Sequence, residues 1–198
     1  MYGEDRRLRY LIGFGLVAVL LVIVIILIMT SGSGKPPAAR HALTDYAGDD
    51  TISISEKIVG PVVANQNHAE ATITINNSSA MVTKTWGYGD TEIASAQYPM
   101  SQASFTEFLA ALDRAGFTKG NTDESLADDK GYCATGERYI FTIKQGSQTL
   151  ERFWATNCGG VKTYRGALGL TQTLFASQIP DYDAIVGGSQ NDNANLVL

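Results

Sequence analysis

The chain has 198 residues, a formal net charge of −5 and 44% hydrophobic residues. That length holds one ordinary domain plus accessory segments. The acidic balance excludes the basic footprint of a nucleic-acid binder and gives no reason to expect binding to anionic lipid.

The first element in chain order is apolar. Tyr10 to Met29 carries no charged residue. Its 20 residues, at roughly 1.5 Å each, match a bilayer's hydrocarbon thickness of about 30 Å. Lone segments in lipid satisfy their own backbone only as helices, so a transmembrane helix over 10–30 is predicted, with 1–9 as a cytoplasmic tail. Arg6, Arg7 and Arg9 sit directly before it, and Lys35 and Arg40 follow at a distance. Positive-inside bias then leaves the N-terminus in the cytoplasm and carries everything after Thr30 outside. The alternative is a cleaved signal peptide, for which the small residues Thr30 to Gly34 would supply the processing site.

Residues 31–49 read as a flexible tether, Gly/Ser-rich and then stiffened by Pro36-Pro37. The domain is expected over 50–186, and 187–198, rich in Asn and Gly, as a disordered tail. Within the domain, Ile52, Ile54 and Ile58 alternate with polar neighbours, as do Ala71, Ile73 and Ile75. Asn76 to Ser79 is a turn, Met81 to Trp86 resumes an extended pattern, Gly87 to Asp90 breaks it, and Thr91 to Tyr98 is a further strand ended by Pro99. An antiparallel meander is the expectation.

Ser104-Phe-Thr-Glu107 fits a capping box that opens a helix, with Phe105, Phe108, Leu109 and Leu112 on one apolar face. Gly116 suits the left-handed position after its end, with Phe117 packing back. The acidic stretch Asn121 to Lys130 lacks the ligand spacing of an EF-hand and reads as a solvated loop.

Glu137 to Gln145 and Gln148 to Asn157 flank Gly146-Ser147, a two-residue hairpin turn. The favoured register opposes Ile143 to Leu150, Tyr139 to Trp154 and Ile140 to Phe153, leaving Cys133 one diagonal step from Cys158. A register shifted by two opposes Phe141 to Leu150 and Cys133 directly to Cys158, and a bulge at Gly136 would reconcile the two. Either way the two cysteines meet at the hairpin's open end, and a Cys133–Cys158 disulfide there agrees with an oxidising compartment. A second helix, about Leu168 to Gln178, is expected to turn Leu170, Leu174 and Phe175 inward before Pro180 stops it.

Catalytic signatures are thin. His41 falls in the tether and His68 has no acid or serine partner identifiable from sequence, so both read as structural or surface residues. Asp181 and Asp183 are a weak carboxylate pair for glycosidase chemistry. No catalytic, cofactor-binding or metal-ligating residues are predicted, and no cofactor. Trp86, Tyr88, Tyr98, Tyr132 and Tyr164 lie near strand ends or Gly-rich loops and are candidate binding aromatics for a peptide, glycan or partner protein, with core packing as the plainer reading.

Cys133-Ala-Thr-Gly-Glu-Arg-Tyr-Ile-Phe, Arg152-Phe-Trp-Ala-Thr-Asn-Cys-Gly-Gly160 and Leu174-Phe-Ala-Ser-Gln-Ile-Pro-Asp-Tyr182 together resemble uncharacterised single-pass anchored proteins of Saccharibacteria-type bacteria, small organisms living on other bacteria. The resemblance covers about the C-terminal third and the anchor-and-domain layout. It brings no known activity and no site residues, and implies a cell-surface protein in which the two cysteines belong to the family pattern. The expectation is therefore an α+β domain, a mostly antiparallel sheet with two helices, tethered outside a bacterial cell membrane. A non-enzymatic binding or envelope-structural module is the leading function. An enzyme acting on envelope peptide or glycan, or an accessory subunit of a membrane complex, are the alternatives.

Overall fold

The computed structural model describes residues 42–187, and Leu21 alone among the residues before them. The rest of the candidate span 10–30, the tether up to His41 and the tail after Gly187 lie outside the described residues. No helix among the described residues is long and apolar enough to cross a membrane.

Six strands form one sheet: β1 (Ile52–Val59), β2 (Ala69–Ile75), β3 (Ser79–Trp86), β4 (Thr91–Pro99), β5 (Arg138–Gln145) and β6 (Gln148–Thr156). Their order is β4-β3-β2-β1-β5-β6, and every neighbouring pair is antiparallel. The first four make the expected meander. Helix α1 (Gln102–Ala115) then separates β4, at one edge, from β5 on the far side of β1, and α2 (Leu168–Ala176) follows β6. The described residues thus form an α+β domain.

Strand alternation sorts the side chains into two faces. Ile52, Ile54, Ile73, Ile75, Val82, Phe141, Ile143 and Phe153 point to one face and are buried there with Phe105, Phe108, Leu109 and Leu112 of α1 and Phe175 of α2. Phe108 and Phe175 join the two helices edge to face, with ring centroids 5.4 Å apart. Each large side chain removed from water in this way contributes on the order of 1.5–3 kcal/mol before ordering costs. Leu43, in a 3-10 turn over Leu43–Tyr46, is fully buried in the same core. The folded unit therefore begins ahead of residue 50, and the last part of the expected tether is packed chain.

Helix α1 begins one turn earlier than the Ser104 box implied. Ser101 is the extended cap residue, and its hydroxyl accepts from the Ser104 N–H at 3.1 Å. Ser104 is thus inside the first turn, hydroxyl to hydroxyl with Ser101 at 2.8 Å, and Glu107 is exposed. The other end is as expected. Gly116 adopts φ +76° and the Phe117 N–H returns to the Leu112 carbonyl at 3.0 Å, which satisfies carbonyls the helix leaves open.

In the β5–β6 hairpin, Gly146 takes φ +56° at the turn, and the favoured register holds for its first two pairs, Gln145–Gln148 and Lys144–Thr149. A bulge then inserts Leu150, so that Ile143 faces Glu151, Phe141 faces Phe153 and Ile140 faces Trp154. Neither uniform register is right, and the bulge is at Leu150, not Gly136. The extra residue turns Phe153 and Ala155 to the main core and Trp154 to the opposite face, a device that re-aims side chains at a sheet edge.

Trp154 is buried on that opposite face by the acidic loop. Its indole N–H donates to the Leu126 carbonyl at 2.7 Å, and the Tyr132 ring lies 4.8 Å from it. Asp129 is buried between Arg138, at 3.3 Å, and Arg152, which also donates to the Ala127 carbonyl at 2.7 Å. The loop expected to be solvated is therefore a cover, pinned by an acid between two guanidinium groups, although Asp123, Glu124 and Asp128 remain exposed. In α2 the inner face is Thr171 and Phe175, with Leu168 and Leu174 partly buried; Leu170, expected to turn inward, is half exposed.

Candidate ligand-binding cleft

The covered face of the sheet is not apolar throughout. Following Ile52 and Ile54 on β1, the next core-facing position is Glu56; following Ala80 and Val82 on β3, it is Lys84. Both are nearly inaccessible, Glu56 at 1% and Lys84 at 4% exposure. One rung further along, Ile58, Ala71 and Lys84 lie side by side across β1, β2 and β3. Small side chains there leave a cleft of about 430 Å³ between the sheet and the chain's last described turn, lined by Ile58, Ala69, Ala71, Glu70, Lys84 and Glu137 on the sheet side. Tyr182, Asp183, Val186 and Gly187 line it from the C-terminal segment.

That segment is held by two long-range hydrogen bonds. The Lys84 ammonium donates to the Val186 carbonyl at 2.8 Å, and the Tyr98 hydroxyl donates to Asp181 Oδ2 at 3.0 Å. Burial lowers the pKa of Lys84, and burial followed by the Asp181 carboxylate raises that of Tyr98. Asp183–Gly187 forms a single π-helical turn.

The rim is set by the disulfide. Cys133 and Cys158 are joined, with Cα atoms 5.6 Å apart, at the hairpin's open end. The Ala134 carbonyl accepts the Val62 N–H at 2.7 Å, tying the loop after β1 to the disulfide turn. Asn157, next to Cys158, accepts the Glu137 N–H at 2.9 Å. The Glu137 carboxylate in turn accepts the Tyr139 hydroxyl at 2.6 Å, and burial together with this carboxylate pushes the Tyr139 pKa up to about 12.

Glu56 sits below the cleft wall. Desolvation raises its pKa from an ordinary 4.5 to about 8, since no positive charge is placed to favour its ionised form. Its Oε1 has no hydrogen-bond partner among the described residues. Tyr182 reports the surrounding charge: burial first, then Glu56, Glu137 and Asp183, pushes its hydroxyl up to about 12.

The five candidate aromatics are not brought together. Tyr164 is a core residue whose hydroxyl meets Thr171 at 2.6 Å. Tyr132 lies on Trp154 on the far face, and Tyr98 is tied to Asp181. Trp86 is half-buried at the end of β3. Tyr88 is exposed and stacks on His68, with centroids 4.0 Å apart. His68 is buried, with one ring nitrogen 3.0 Å from the Pro61 carbonyl and the other 3.3 Å from Glu70, which also pairs with Lys57 at 2.5 Å. The acid partner that sequence could not identify for His68 is thus Glu70, two residues on at the start of β2, and the arrangement clamps the loop between β1 and β2. His41 lies outside the described residues.

Glu56 and Lys84 were missed in the sequence, although a signal exists: each is a charge at the parity reserved for the core. Among the described residues no group of three or more His, Cys, Asp or Glu is placed to hold a metal ion. No protein-family profile and no curated protein sequence matches the chain.

Proposed function

We propose that this chain is a single-pass bacterial membrane protein whose extracytoplasmic domain is a non-enzymatic binding module, with the cleft beneath Tyr182 as its ligand site. The apolar 10–30 segment, its preceding arginines and the resemblance to Saccharibacteria-type surface proteins support the anchoring. The Cys133–Cys158 disulfide supports the outward placement, since such bonds persist in oxidising compartments.

The observation that carries the binding reading is the placement of Glu56 and Lys84. A buried polar group without a partner works against the fold, typically by about 1–3 kcal/mol. The sheet carries such a carboxyl beside a cleft that its small residues hold open. Hydrolysis of a glycan would call for two carboxyl groups facing each other across the substrate. The cleft is lined by Glu70, Glu137 and Asp183, but the carboxyl raised by burial, Glu56, is not among them. Binding asks for less: a walled hollow, fixed charges and a braced rim.

Labelling intact cells with a membrane-impermeant amine reagent tests the placement. Lysines of the domain, such as the exposed Lys130 and Lys144, are expected to react without lysis. Reaction only after lysis would overturn the outward placement.

A further inference from the structure

We propose that the loop between β1 and β2 is a pH-sensitive latch, closed while the buried His68 ring carries a hydrogen on both nitrogens and loosened when it loses one. Gly60, Pro61 and Asn67 of this loop line the cleft. The latch belongs to the loop itself, so its failure would leave the cleft's binding role standing. Both ring nitrogens face atoms that can only accept: Nδ1 lies 3.0 Å from the Pro61 carbonyl, and Nε2 lies 3.3 Å from Glu70 Oε1. Glu70 also pairs with Lys57 at 2.5 Å and so meets the ring as a carboxylate. Both contacts are hydrogen bonds only in the imidazolium, because a neutral ring has one hydrogen and a lone pair on its other nitrogen. The ring is 1% exposed, which leaves water little access to stand in for a lost donor. The Tyr88 ring, stacked on it with centroids 4.0 Å apart, attracts the same cation.

Which contact is lost follows from charge. A lone pair turned on the Glu70 carboxylate meets a full negative charge, whereas one turned on the Pro61 carbonyl meets only a dipole. A hydrogen bond to a carboxylate is also the stronger kind. The neutral ring therefore keeps its hydrogen on Nε2, and the Pro61 carbonyl, left facing a lone pair, swings away. No other charge is hydrogen-bonded or ion-paired to the ring among the described residues: Lys57 stands behind Glu70, and Lys84, Glu137 and Asp183 only share the cleft with Pro61. The rest of the loop feels the change because it is tied to the same pair of rings. The Tyr88 hydroxyl accepts the Val63 N–H at 3.1 Å and donates to the Val63 carbonyl at 2.9 Å, and Asn65 Oδ1 accepts the Tyr88 N–H at 2.8 Å. The His68 carbonyl accepts the Gly87 N–H at 2.9 Å, while the Val62 N–H is held by the Ala134 carbonyl beside the disulfide. Pro61, between these ties, is the point at which the loop gives.

The test follows the full chain in nanodiscs by NMR from about pH 5 to about pH 8, the range in which histidines ordinarily change charge. Ring nitrogen shifts are expected to show hydrogens on both His68 nitrogens at the acid end and on Nε2 alone at the other. The Val62 and Val63 amides are expected to shift with the same midpoint. Their exchange protection, corrected for the intrinsic effect of pH, is expected to fall about threefold to tenfold, the worth of one hydrogen bond. Glu70→Gln separates a latch from mere packing. A glutamine amide can donate to Nε2, so the neutral ring keeps its Nδ1 hydrogen on Pro61 and the loop is expected to stay latched across the range. Unmoved amides in the rest of the sheet would verify that this variant keeps the fold. A neutral wild-type ring with its hydrogen on Nδ1, loop amides indifferent to the ring's titration, or the same loosening in Glu70→Gln would overturn the latch.

Discussion

Replacing Glu56 with methionine removes the one charge from the row Ile54, Glu56, Ile73, Phe141 while keeping side-chain volume roughly constant. In the wild type, the pKa of Glu56 is about 8 in the fold against an ordinary 4.5. Between those two values the folded state holds a proton that the unfolded state has released. Stability then falls as pH rises, by about 1.4 kcal/mol per pH unit. The contribution of this residue is most favourable below pH 4.5, has lost about 3 kcal/mol by pH 7, and stops changing above about 8. The variant has no such slope. Urea unfolding followed by tryptophan fluorescence at pH 5, 6, 7, 8 and 9 reads the difference, and comparing the two proteins at each pH cancels the carboxylates they share. The methionine variant's advantage is expected to grow by about 3–4 kcal/mol from pH 5 to pH 8 and then level off. A difference that is constant with pH would refute the burial of an ionisable, unpartnered group at this position.

Three further outcomes follow from the packing. Cys133→Ser with Cys158→Ser opens a link between residues 25 apart in sequence and is expected to cost about 3 kcal/mol by loop entropy, read as a lowered urea midpoint; an unchanged midpoint would show that the hairpin mouth holds without it. Gly120→Ala places a methyl group into the Phe153 ring and is expected to cost about 1–3 kcal/mol, visible as a lowered melting temperature, whereas a neutral effect would mean the ring has room to move. Asp129→Asn in a Trp86→Phe background loosens the cover over Trp154. It is expected to red-shift the remaining tryptophan emission and cost about 1–3 kcal/mol, less than a sealed pair because Arg152 is partly exposed. Emission that stays in place would place the pinning of the loop elsewhere.

How much was legible depended on whether one face of an element was buried. β1, β2 and the end of α1 announce themselves because their other faces are polar, so parity and the Gly116 stop can be read directly. The start of α1 was ambiguous because Ser101 and Ser104 both precede the apolar stripe at workable distances, and only the N–H that finds a hydroxyl decides between them. Leu43 gave no pattern, because the apolar residues around it, Ala42, Tyr46 and Ala47, are too few for a period to show. The hairpin resisted for a different reason. Phe153 and Trp154 are adjacent, and a strand cannot bury both unless both its faces are covered; the loop that covers Trp154 is acidic and gave no apolar signal of its own. Glu56 and Lys84 stand at core parity, but the cleft they adjoin is closed by a segment far along the chain, and strand parity carries no sign of it.

The bulge at Leu150 has a consequence for how this strand tolerates change. β6 is written in two frames: Gln148 and Thr149 belong to one odd–even phase and Glu151 onward to the other, with Leu150 as the single letter between them. Substituting Leu150 alters one partly buried side chain, and deleting it would make the alternation continuous while Phe153 stays opposite Phe141 and Trp154 opposite Ile140. The strand should therefore accept a replacement or a loss at this one point, so a gap here among related chains would mark a trimmed hairpin that keeps the same two faces.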